Sequence, residues 1–259
     1  MTLTRDWLDR ARAIVGDDGL LTAEADTAPY GHDEFATEDF AARPEAVARP
    51  STEEQVAALV RLCGETGVPV TARGGGTGLA AACVPSPGGI VLSLERLNRV
   101  IEGSADDATL TVEAGVQLGA IYTEAEKLGL SFPPHPGDES AHIGGAVATN
   151  AGGSRAVKYG TIRSFVRGLR VVLAGGEIVD LGGSFMKSST GYNLMSLMIG
   201  SEGTLGIITR VTLSLLPPPG SIQTLVAPFA TVEEAIEAAP AILRAGIVPL
   251  AVEFVEHSV

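Results

Sequence analysis

The sequence predicts a fold in which helices cover a parallel or mixed β-sheet, and three observations support this class. A helical pattern over residues 51–67 directly precedes the apolar run 68–72, which has the character of a short buried strand. A second strand pattern, IVLSL at 90–94, follows, so that helix and strand signals alternate as they do in βαβ units. Further along, RVVLAGGEIVDL at 170–181 places two β-forming runs around Gly175-Gly176, as in a hairpin.

The first helix has clear start and stop signals. Ser51-Thr52-Glu53-Glu54 fits a capping box, with Ser51 as the N-cap and the Glu54 side chain reaching back to it. The apolar residues that recur at helical spacing, and that we expect to form one buried face, are Val56, Leu59, Val60 and Cys63. Gly67 is expected to end the helix.

A second unit begins near Val100. LTVEAG at 110–115 has the composition of a strand. The helical face predicted after it consists of Leu118, Ile121, Tyr122, Ala125 and Leu128. Three prolines and a glycine exclude regular structure from FPPHPGDES at 132–140. A short helix is expected at Asn193–Ile199, and a glycine-rich entry into a strand at 200–219.

Both ends of the chain differ from the part between them. Residues 1–42 hold a short helix and then a polar, acidic segment, which we expect to be a lead-in outside the core. Strand patterns at Gln223–Pro228 and Ala251–Val255 flank a last helical pattern, as at the start of a β-α-β unit. We therefore predict a lead-in at 1–42, a main domain at 43–219 and the start of another domain at 220–259.

Charge and cysteine content exclude several classes of function. The 259 residues include 18 Lys and Arg against 31 Asp and Glu, a formal net charge of -13, so nucleic acid is not an expected partner. There is no signal-peptide core and no apolar run long enough to span a bilayer, so we expect a cytoplasmic protein. Neither the two cysteines, Cys63 and Cys83, nor the four histidines have metal-ligand spacing. Cys63 is expected to be a buried, reduced thiol.

The stretch RGGGTGL at 73–79 directly follows a predicted strand. It matches no familiar phosphate loop: the dinucleotide fingerprint would need a glycine where Leu79 stands, and neither Lys158 nor Lys187 follows a glycine as a P-loop requires. Consecutive backbone N–H groups without side chains can still surround an anion. A lone glycine run of this kind is more often a structural turn.

Four further loops of small residues favour a ligand over five unrelated turns. They are Pro136-Gly137-Asp138, Gly144-Gly145, Asn150-Ala151-Gly152-Gly153 and Gly200-Ser201-Glu202-Gly203-Thr204-Leu205-Gly206. One long, narrow ligand that passes several loops explains the group more economically. An extended dinucleotide with a flat ring fits that description.

Five motifs in this order carry a family resemblance. They are RPEAVARPSTEEQV (43–56), PVTARGGGTGL (69–79), HIGGAVATNAGG (142–153), KYGT (158–161) and STGYNLMSLMIGSEGTLGIIT (189–209). With them the chain resembles the FAD-linked oxidases of the vanillyl-alcohol-oxidase superfamily. Within it, the chain is most similar to the D-2-hydroxyacid branch of glycolate oxidase flavin subunits, D-lactate dehydrogenases and D-2-hydroxyglutarate dehydrogenases. The resemblance implies an α+β fold: a PCMH-type FAD-binding domain of two α/β subdomains, then the first β-α-β of an incomplete α+β cap domain.

The resemblance also implies where FAD would bind. Residues 73–79 would surround the pyrophosphate, 136–141 and 149–152 would follow the ribityl chain and ring, and 202–208 would lie along the adenine half and the flavin edge. The implied cofactor contacts are Arg73, Gly74, Gly75, Gly76, Thr77, Gly78, Leu79, Pro136, Gly137, Asp138, Ser140, Ala141, Gly144, Gly145, Thr149, Asn150, Ala151, Gly152, Tyr159, Gly160, Glu202, Gly203, Gly206, Ile207 and Ile208. Packing of the Tyr159 ring is an equally good explanation of that residue, and His142 is expected to make a local backbone hydrogen bond. For His135, a place at the ring and a place on the surface both stay open.

Some family members attach FAD through a histidine in the first glycine loop. That place reads Gly75-Gly76-Thr77 here, so we predict non-covalent FAD. The substrate arginines, catalytic histidine and metal site of the family come from a cap domain and a later segment that this sequence does not contain, so no catalytic residue and no metal ligand is assigned.

Three hypotheses stay open. The first is the FAD-binding half of a 2-hydroxyacid oxidoreductase, truncated or completed by a second polypeptide, with a small 2-hydroxy acid as substrate. The second is a flavin-binding module without turnover of its own. The third is a sugar-nucleotide or structural protein that uses the fold without flavin.

Overall fold

Two lobes, each a sheet with helices packed on it, make up the protein. The computed structural model describes residues 3–35 and 40–256. The elements of the first lobe are α1 (Arg5–Val15), β1 (Leu20–Leu21), α2 (Glu24–Thr27), β2 (Ala46–Ala48), α3 (Glu53–Thr66), β3 (Val70–Arg73) and β4 (Ile90–Ser93). The strand order is β1-β2-β4-β3. Strands β2 and β3 both pair parallel with β4, whereas β1 pairs antiparallel with β2, so the sheet is mixed, as predicted.

Helix α3 confirms the predicted apolar face and corrects the predicted cap. Its buried residues include Val56, Leu59, Val60 and Cys63, all in the core of the first lobe. The N-cap is Thr52, whose hydroxyl accepts a hydrogen bond from the Gln55 N–H at 3.3 Å, so the prediction of Ser51 was wrong by one residue. Thr52 and Gln55 also fit the capping-box pattern, a Thr followed three positions later by a Gln. The Gln55 side-chain oxygen accepts a hydrogen bond from the Ser51 N–H at 2.7 Å. Gly67 ends the helix with a φ of 66°, as predicted.

The prediction that residues 1–42 lie outside the core was wrong. Trp7, Ala11 and Val15 form one buried face of α1, and the Trp7 indole N–H donates to the Thr66 hydroxyl at 3.1 Å. Their spacing at i, i+4 and i+8 is a helical stripe, which the charged residues around it obscured. The acidic segment that follows lies partly outside the described residues. The N-terminal helix is therefore part of the first lobe.

The second lobe is built on an antiparallel sheet. Its elements are β5 (Val100–Ser104), β6 (Thr109–Glu113), α4 (Leu118–Lys127), α5 (Ile143–Ala148), α6 (Ala156–Tyr159), β7 (Val166–Val172), β8 (Ile178–Gly182), α7 (Met195–Met198) and β9 (Ile207–Ser214). The strand order is β5-β6-β9-β7-β8, and every pairing is antiparallel. The hairpin around Gly175-Gly176 and the irregular segment at 132–140 are confirmed. Helix α5 was not predicted, because its sequence IGGAVA contains two glycines.

The segment after residue 220 contains one helix. Helix α8 (Val232–Arg244) is N-capped by Thr231, whose hydroxyl accepts from the Glu234 N–H at 3.3 Å, and none of its residues is buried. The strands predicted at Gln223–Pro228 and Ala251–Val255 are wrong: neither segment pairs with another strand in the part of the chain that the structure describes. A β pattern becomes a strand only where a neighbour supplies hydrogen bonds. The division into domains at 43 and 220 stays a prediction.

Candidate cofactor-binding site

A groove lies between the two lobes and contains about 510 Å³ of space, part of it open to solvent. The first lobe contributes Ala72, Arg73, Gly74, Ala82, Cys83 and Leu94. The second lobe contributes Gly144, Gly145, Ala148, Thr149, Glu202, Gly203, Gly206, Ile207 and Ile208. Three of the predicted glycine motifs, far apart in sequence, therefore meet at one groove.

Three elements bring these motifs together. Strand β3 ends at Arg73 and passes directly into the glycine run. Helix α5 presents Gly144 and Gly145 opposite that run, and an ideal Cβ built on Gly74 would lie 3.5 Å from the Gly145 Cα. Strand β9 begins at Ile207, so the loop before it closes the groove from the side of the second sheet.

The other predicted contacts lie around the groove rather than along its walls. Gly75, Gly76, Thr77, Gly78 and Leu79 continue the first loop outward, and a Cβ on Gly75 would lie 3.3 Å from the Ser140 carbonyl oxygen. This contact places the irregular segment containing Pro136, Gly137, Asp138, Ser140 and Ala141 beside the first loop. The remaining members of the set are Asn150, Ala151, Gly152, Tyr159 and Gly160, which follow α5 in the chain.

The first glycine loop leaves its peptide N–H groups free for a ligand. Within the residues that the structure describes, no N–H from Gly75 to Leu79 donates to a protein acceptor. The loop is held instead from its carbonyl side and its far end: the Gly78 carbonyl accepts the Glu34 N–H at 3.1 Å, and the Asp33 carboxylate accepts the Ala81 N–H at 2.7 Å. Unpaired N–H groups in a glycine turn form the concave donor array that binds phosphate.

The Arg73 side chain is bound by backbone carbonyls of the first lobe. Its guanidinium is buried and donates to the His32 carbonyl at 2.6 Å and to the Pro29 carbonyl at 3.4 Å. It also lies 5.7 Å from the centre of the Tyr30 ring. Gly76 must lack a side chain because a Cβ there would overlap the same guanidinium. Arg73 thus supports the loop through its side chain and is also one of the residues that line the groove.

His142, at the N-terminus of α5, carries an orphaned polar atom. Its Nδ1 is buried and has no hydrogen-bond partner among the described residues, so the predicted local hydrogen bond is not made by that atom. Burial lowers the pKa of the ring below its ordinary value of 6.5; the Glu95 carboxylate opposes this shift and the Arg73 guanidinium supports it. The ring packs against the first loop, since a Cβ on Gly75 would lie 3.4 Å from its Cδ2. Burial therefore favours the neutral form of the His142 imidazole, which lies beside Gly75 of the first loop.

Two non-glycine residues of the site have left-handed backbones. Asn150 has a φ of 51°, and its side-chain oxygen accepts from the Thr161 hydroxyl at 2.8 Å, which fixes the loop after α5. Glu202 has a φ of 52° and lines the groove, with its N–H bound to the Ala148 carbonyl at 2.9 Å. Such backbones are uncommon outside glycine and are often found at functional sites.

Several side chains of the predicted set or near it are occupied within the protein. The Tyr159 ring meets the Phe165 ring edge-on with centroids 6.3 Å apart, which favours packing as its role. The Asp138 carboxylate accepts the Ser140 N–H at 2.7 Å and so closes its own turn. The His135 Nδ1 lies 3.3 Å from the Tyr122 hydroxyl, which itself donates to the Pro134 carbonyl. The contacts of these side chains are thus made within the protein.

Five lining residues were not predicted: Ala72, Ala82, Cys83, Leu94 and Ala148. Four of them are small, so their signal is the one that marked the glycines. The Cys83 thiol accepts a hydrogen bond from the Arg73 guanidinium at 3.2 Å, and burial raises its pKa although the nearby Arg73 charge opposes this. Cys63 is a free, buried thiol as predicted, and burial raises its pKa to about 12.

The chemistry of the groove suits a dinucleotide with a flat ring. Gly145 has only the Gly74 Cα within 4 Å of an added Cβ, so a side chain there would project into the groove. The walls are apolar and the first loop supplies unpaired donors, which together suit a ring and a pyrophosphate. Among the described residues there is no cluster of His, Cys, Asp or Glu that could hold a metal ion.

Comparison with known proteins identifies the class. Residues 44–182 match the FAD binding domain family, so the chain belongs to that family and its cofactor is FAD. It is 43% identical to a D-lactate dehydrogenase of Anaerostipes hadrus over 240 residues, 93% of this chain and 50% of that protein. It is 44% identical to a D-2-hydroxyglutarate dehydrogenase of Xanthomonas citri pv. viticola, covering 81% and 44%. It is 34% identical to the glycolate oxidase subunit GlcD of Bacillus subtilis, covering 98% and 54%. The chain spans about half the length of these relatives.

Solved structures confirm the predicted PCMH-type fold. An alkyldihydroxyacetonephosphate synthase aligns with a TM-score of 0.80 at 22% identity, covering 96% of this chain and 47% of that one. p-Cresol methylhydroxylase aligns with a TM-score of 0.77 at 22% identity, covering 93% and 49%. In the described part of this chain no helix could cross a bilayer.

Proposed function

We propose that this chain forms the FAD-binding part of an oxidoreductase that oxidises a D-2-hydroxy acid by hydride transfer to the flavin. The observation that carries the proposal is the groove between the lobes, which is lined by glycines of both lobes and bordered by a loop whose N–H groups at 75–79 make no hydrogen bond within the described residues. The names of the relatives support the substrate class, because lactate, 2-hydroxyglutarate and glycolate are all 2-hydroxy acids.

The residues of the groove have separable roles in this proposal. The N–H groups of Gly75–Leu79 bind the pyrophosphate, and the flat walls at Gly74 and Gly145 let the cofactor approach the backbone. Residues 136–141 and 149–152 follow the ribityl chain and ring, and Glu202 with Ile207 and Ile208 borders the rest. When bound, FAD supplies the two-electron redox chemistry, and the protein contributes orientation and exclusion of water.

We further propose that FAD is held without a covalent bond. The first loop offers no histidine at Gly75-Gly76-Thr77, and the one thiol that lines the groove, Cys83, has its pKa raised by burial. Acid precipitation of the purified chain should leave all flavin in the supernatant. Yellow protein in the pellet would contradict this and would point to Cys83, which Cys83→Ser would then remove.

The activity is tested by anaerobic reduction. The purified chain, loaded with FAD, is mixed with D-lactate, glycolate and D-2-hydroxyglutarate, and the flavin absorbance is followed, with L-lactate as the control. Because no catalytic residue is assigned to this chain, the reaction is run with the chain alone and with the chain recovered from its own cells together with any partner polypeptide. Bleaching by one D-2-hydroxy acid and not by L-lactate is the expected result in the second preparation. Bound flavin that no hydroxy acid reduces in either preparation would favour the second function, a flavin-binding module without turnover of its own. A chain that takes up no FAD would favour the third, a protein that uses the fold without flavin.

The remaining parts of the proposal concern the rest of the enzyme. The segment 220–259 would be the start of a substrate domain, and a second polypeptide could complete the site. A cytoplasmic location is also proposed. Affinity purification of the tagged chain from its own cells tests the second polypeptide, and a chain recovered without any partner would contradict it. Cell fractionation tests the location, and recovery of the chain in the membrane pellet would contradict a cytoplasmic one.

A further inference from the structure

Helix α3 contacts both lobes of the molecule. Its apolar face packs in a core that includes Val172 and Ile207 of the second lobe as well as the first-lobe residues, and two polar contacts also join α3 to the second lobe. At one of them the Arg61 guanidinium donates to the Gly176 carbonyl at 3.3 Å, and a Cβ on Gly176 would lie 2.8 Å from the Ala57 carbonyl oxygen. The hairpin turn of the second sheet is thus seated directly on α3.

The other contact is an ion network centred on Glu53, in the first turn of α3. Its Oε1 accepts from Arg210 Nη2 at 3.3 Å, and its Oε2 lies 3.2 Å from Arg170 Nε. The Thr209 hydroxyl lies 3.4 Å from the same Oε2. The Arg170 contact lacks hydrogen-bond alignment and is an ion pair only. The Glu53 side chain is 14% exposed, so solvent screens this network less than a surface pair.

The residues that Glu53 binds are next in sequence, or paired in the sheet, to residues that form the groove wall. Thr209 and Arg210 directly follow Ile207 and Ile208 in β9, and both of those line the groove. Arg170 stands opposite Arg210 in the β7–β9 pairing. A carboxylate of the first lobe therefore fixes the strand pair that forms the wall of the second lobe, although Glu53 itself does not line the groove.

We propose that Glu53 is a positioning residue for FAD, which locks the two lobes at the spacing that the cofactor requires. FAD contacts both walls, so it binds only molecules in which the walls are correctly spaced. The apparent Kd rises as the fraction of such molecules falls. This inference depends on FAD binding alone and not on the substrate.

The test compares Glu53→Gln with Glu54→Gln in the full chain. Both changes remove one charge from the same helical turn, but Glu53 makes the hydrogen bond and the ion pairs, whereas Glu54 is exposed and acts on Arg170 and Arg210 only through its charge. FAD affinity and dissociation rate are measured by flavin fluorescence at a temperature where circular dichroism shows both cofactor-free variants folded. We expect Glu53→Gln to weaken binding about tenfold, mostly through a lower apparent association rate, and Glu54→Gln to leave it unchanged.

A second arm separates positioning from general stability. Arg210→Gln should weaken FAD binding in the same way, and the double variant Glu53→Gln/Arg210→Gln should be weaker by less than the product of the two single effects. The visible circular dichroism of bound flavin should change in the Glu53 and Arg210 variants but not in Glu54→Gln. A Glu53→Gln chain that melts earlier yet binds FAD with wild-type affinity and spectrum would overturn the proposal. So would multiplicative effects in the double variant.

Discussion

Adjacent glycines in the groove loops serve different purposes, and the pairs 144–145 and 152–153 show it. A Cβ on Gly144 would lie 2.6 Å from the Ala114 Cβ, whereas one on Gly145 would meet nothing closer than 3.9 Å. A Cβ on Gly153 would overlap the His135 carbonyl oxygen, whereas one on Gly152 would lie 3.7 Å from its nearest neighbour. In each pair one glycine is required by packing and the other leaves space, so a double glycine is not by itself evidence of a ligand.

The largest effect expected from this contrast is on stability at the second pair. Gly153→Ala forces a methyl group into a backbone carbonyl that cannot move aside, and should lower the free energy of unfolding by about 3 kcal/mol. Gly152→Ala is the matched control and should change it by less than about 0.5 kcal/mol. Urea unfolding of the cofactor-free chains measures both values. Equal stability of the two variants would remove the distinction.

The next largest effect on the free energy of unfolding is expected at Arg73, whose side chain supports the first loop. Arg73→Lys keeps the charge but loses the planar fork that reaches the His32 and Pro29 carbonyls, and should cost about 2 kcal/mol. Arg10→Lys alters a surface pair with Glu65 whose partners are both about half exposed, and should cost nothing measurable. The same urea titration gives the comparison. A stable Arg73→Lys chain would mean that the guanidinium does not hold the loop.

A smaller effect is expected at the first pair, and on binding rather than stability. Gly145→Ala puts a methyl group into the groove and should weaken FAD binding about tenfold, or ~1.4 kcal/mol, with no loss of stability in the cofactor-free chain. Stability could rise, because alanine favours helix α5. Gly144→Ala should instead destabilise the fold. Calorimetric titration with FAD and thermal melts separate the two outcomes, and wild-type affinity in Gly145→Ala would show that FAD avoids this wall.

The smallest effect concerns pH. Because the pKa of His142 is lowered in the folded chain, the unfolded chain binds its proton first as the pH falls below 6.5. Stability is therefore lost on acidification, from about the unfolded pKa down to the folded one, and is regained as the pH rises. His142→Gln should flatten this part of the curve. Melting temperatures of both chains between about pH 7 and pH 5 test this prediction. The same dependence of melting temperature on pH in both chains would mean that folding does not lower the pKa of His142.

Predictions from the sequence were correct where residues close together in the chain define the element. The face of α3, the stop at Gly67 and the hairpin around Gly175-Gly176 were all confirmed, since each depends on periodicity or on a turn that neighbouring residues define. The exclusion of regular structure at 132–140 depended only on proline chemistry. The cap of α3 was off by one residue because two overlapping patterns satisfy the same rule.

Prediction was poorer where distant parts of the chain decide. Helix α5 forms despite two glycines because it packs against the second sheet and the glycine run. The β patterns at 223–228 and 251–255 are not strands in the described chain because no neighbour pairs with them. Helix α1 belongs to the core because its apolar face packs with that of α3, which lies about fifty residues later in the chain.

From the sequence by itself, five small-residue loops favoured an extended dinucleotide with a flat ring. The family resemblance, carried by five motifs in a fixed order, implied that this ligand is FAD and that the FAD-binding domain has two α/β subdomains. Tertiary structure alone decided which glycine faces the groove, which carbonyls the Arg73 guanidinium binds and which residues of the second lobe Glu53 contacts. Those answers depend on atoms brought together from separate lobes, and the distance between them exists only in the folded chain.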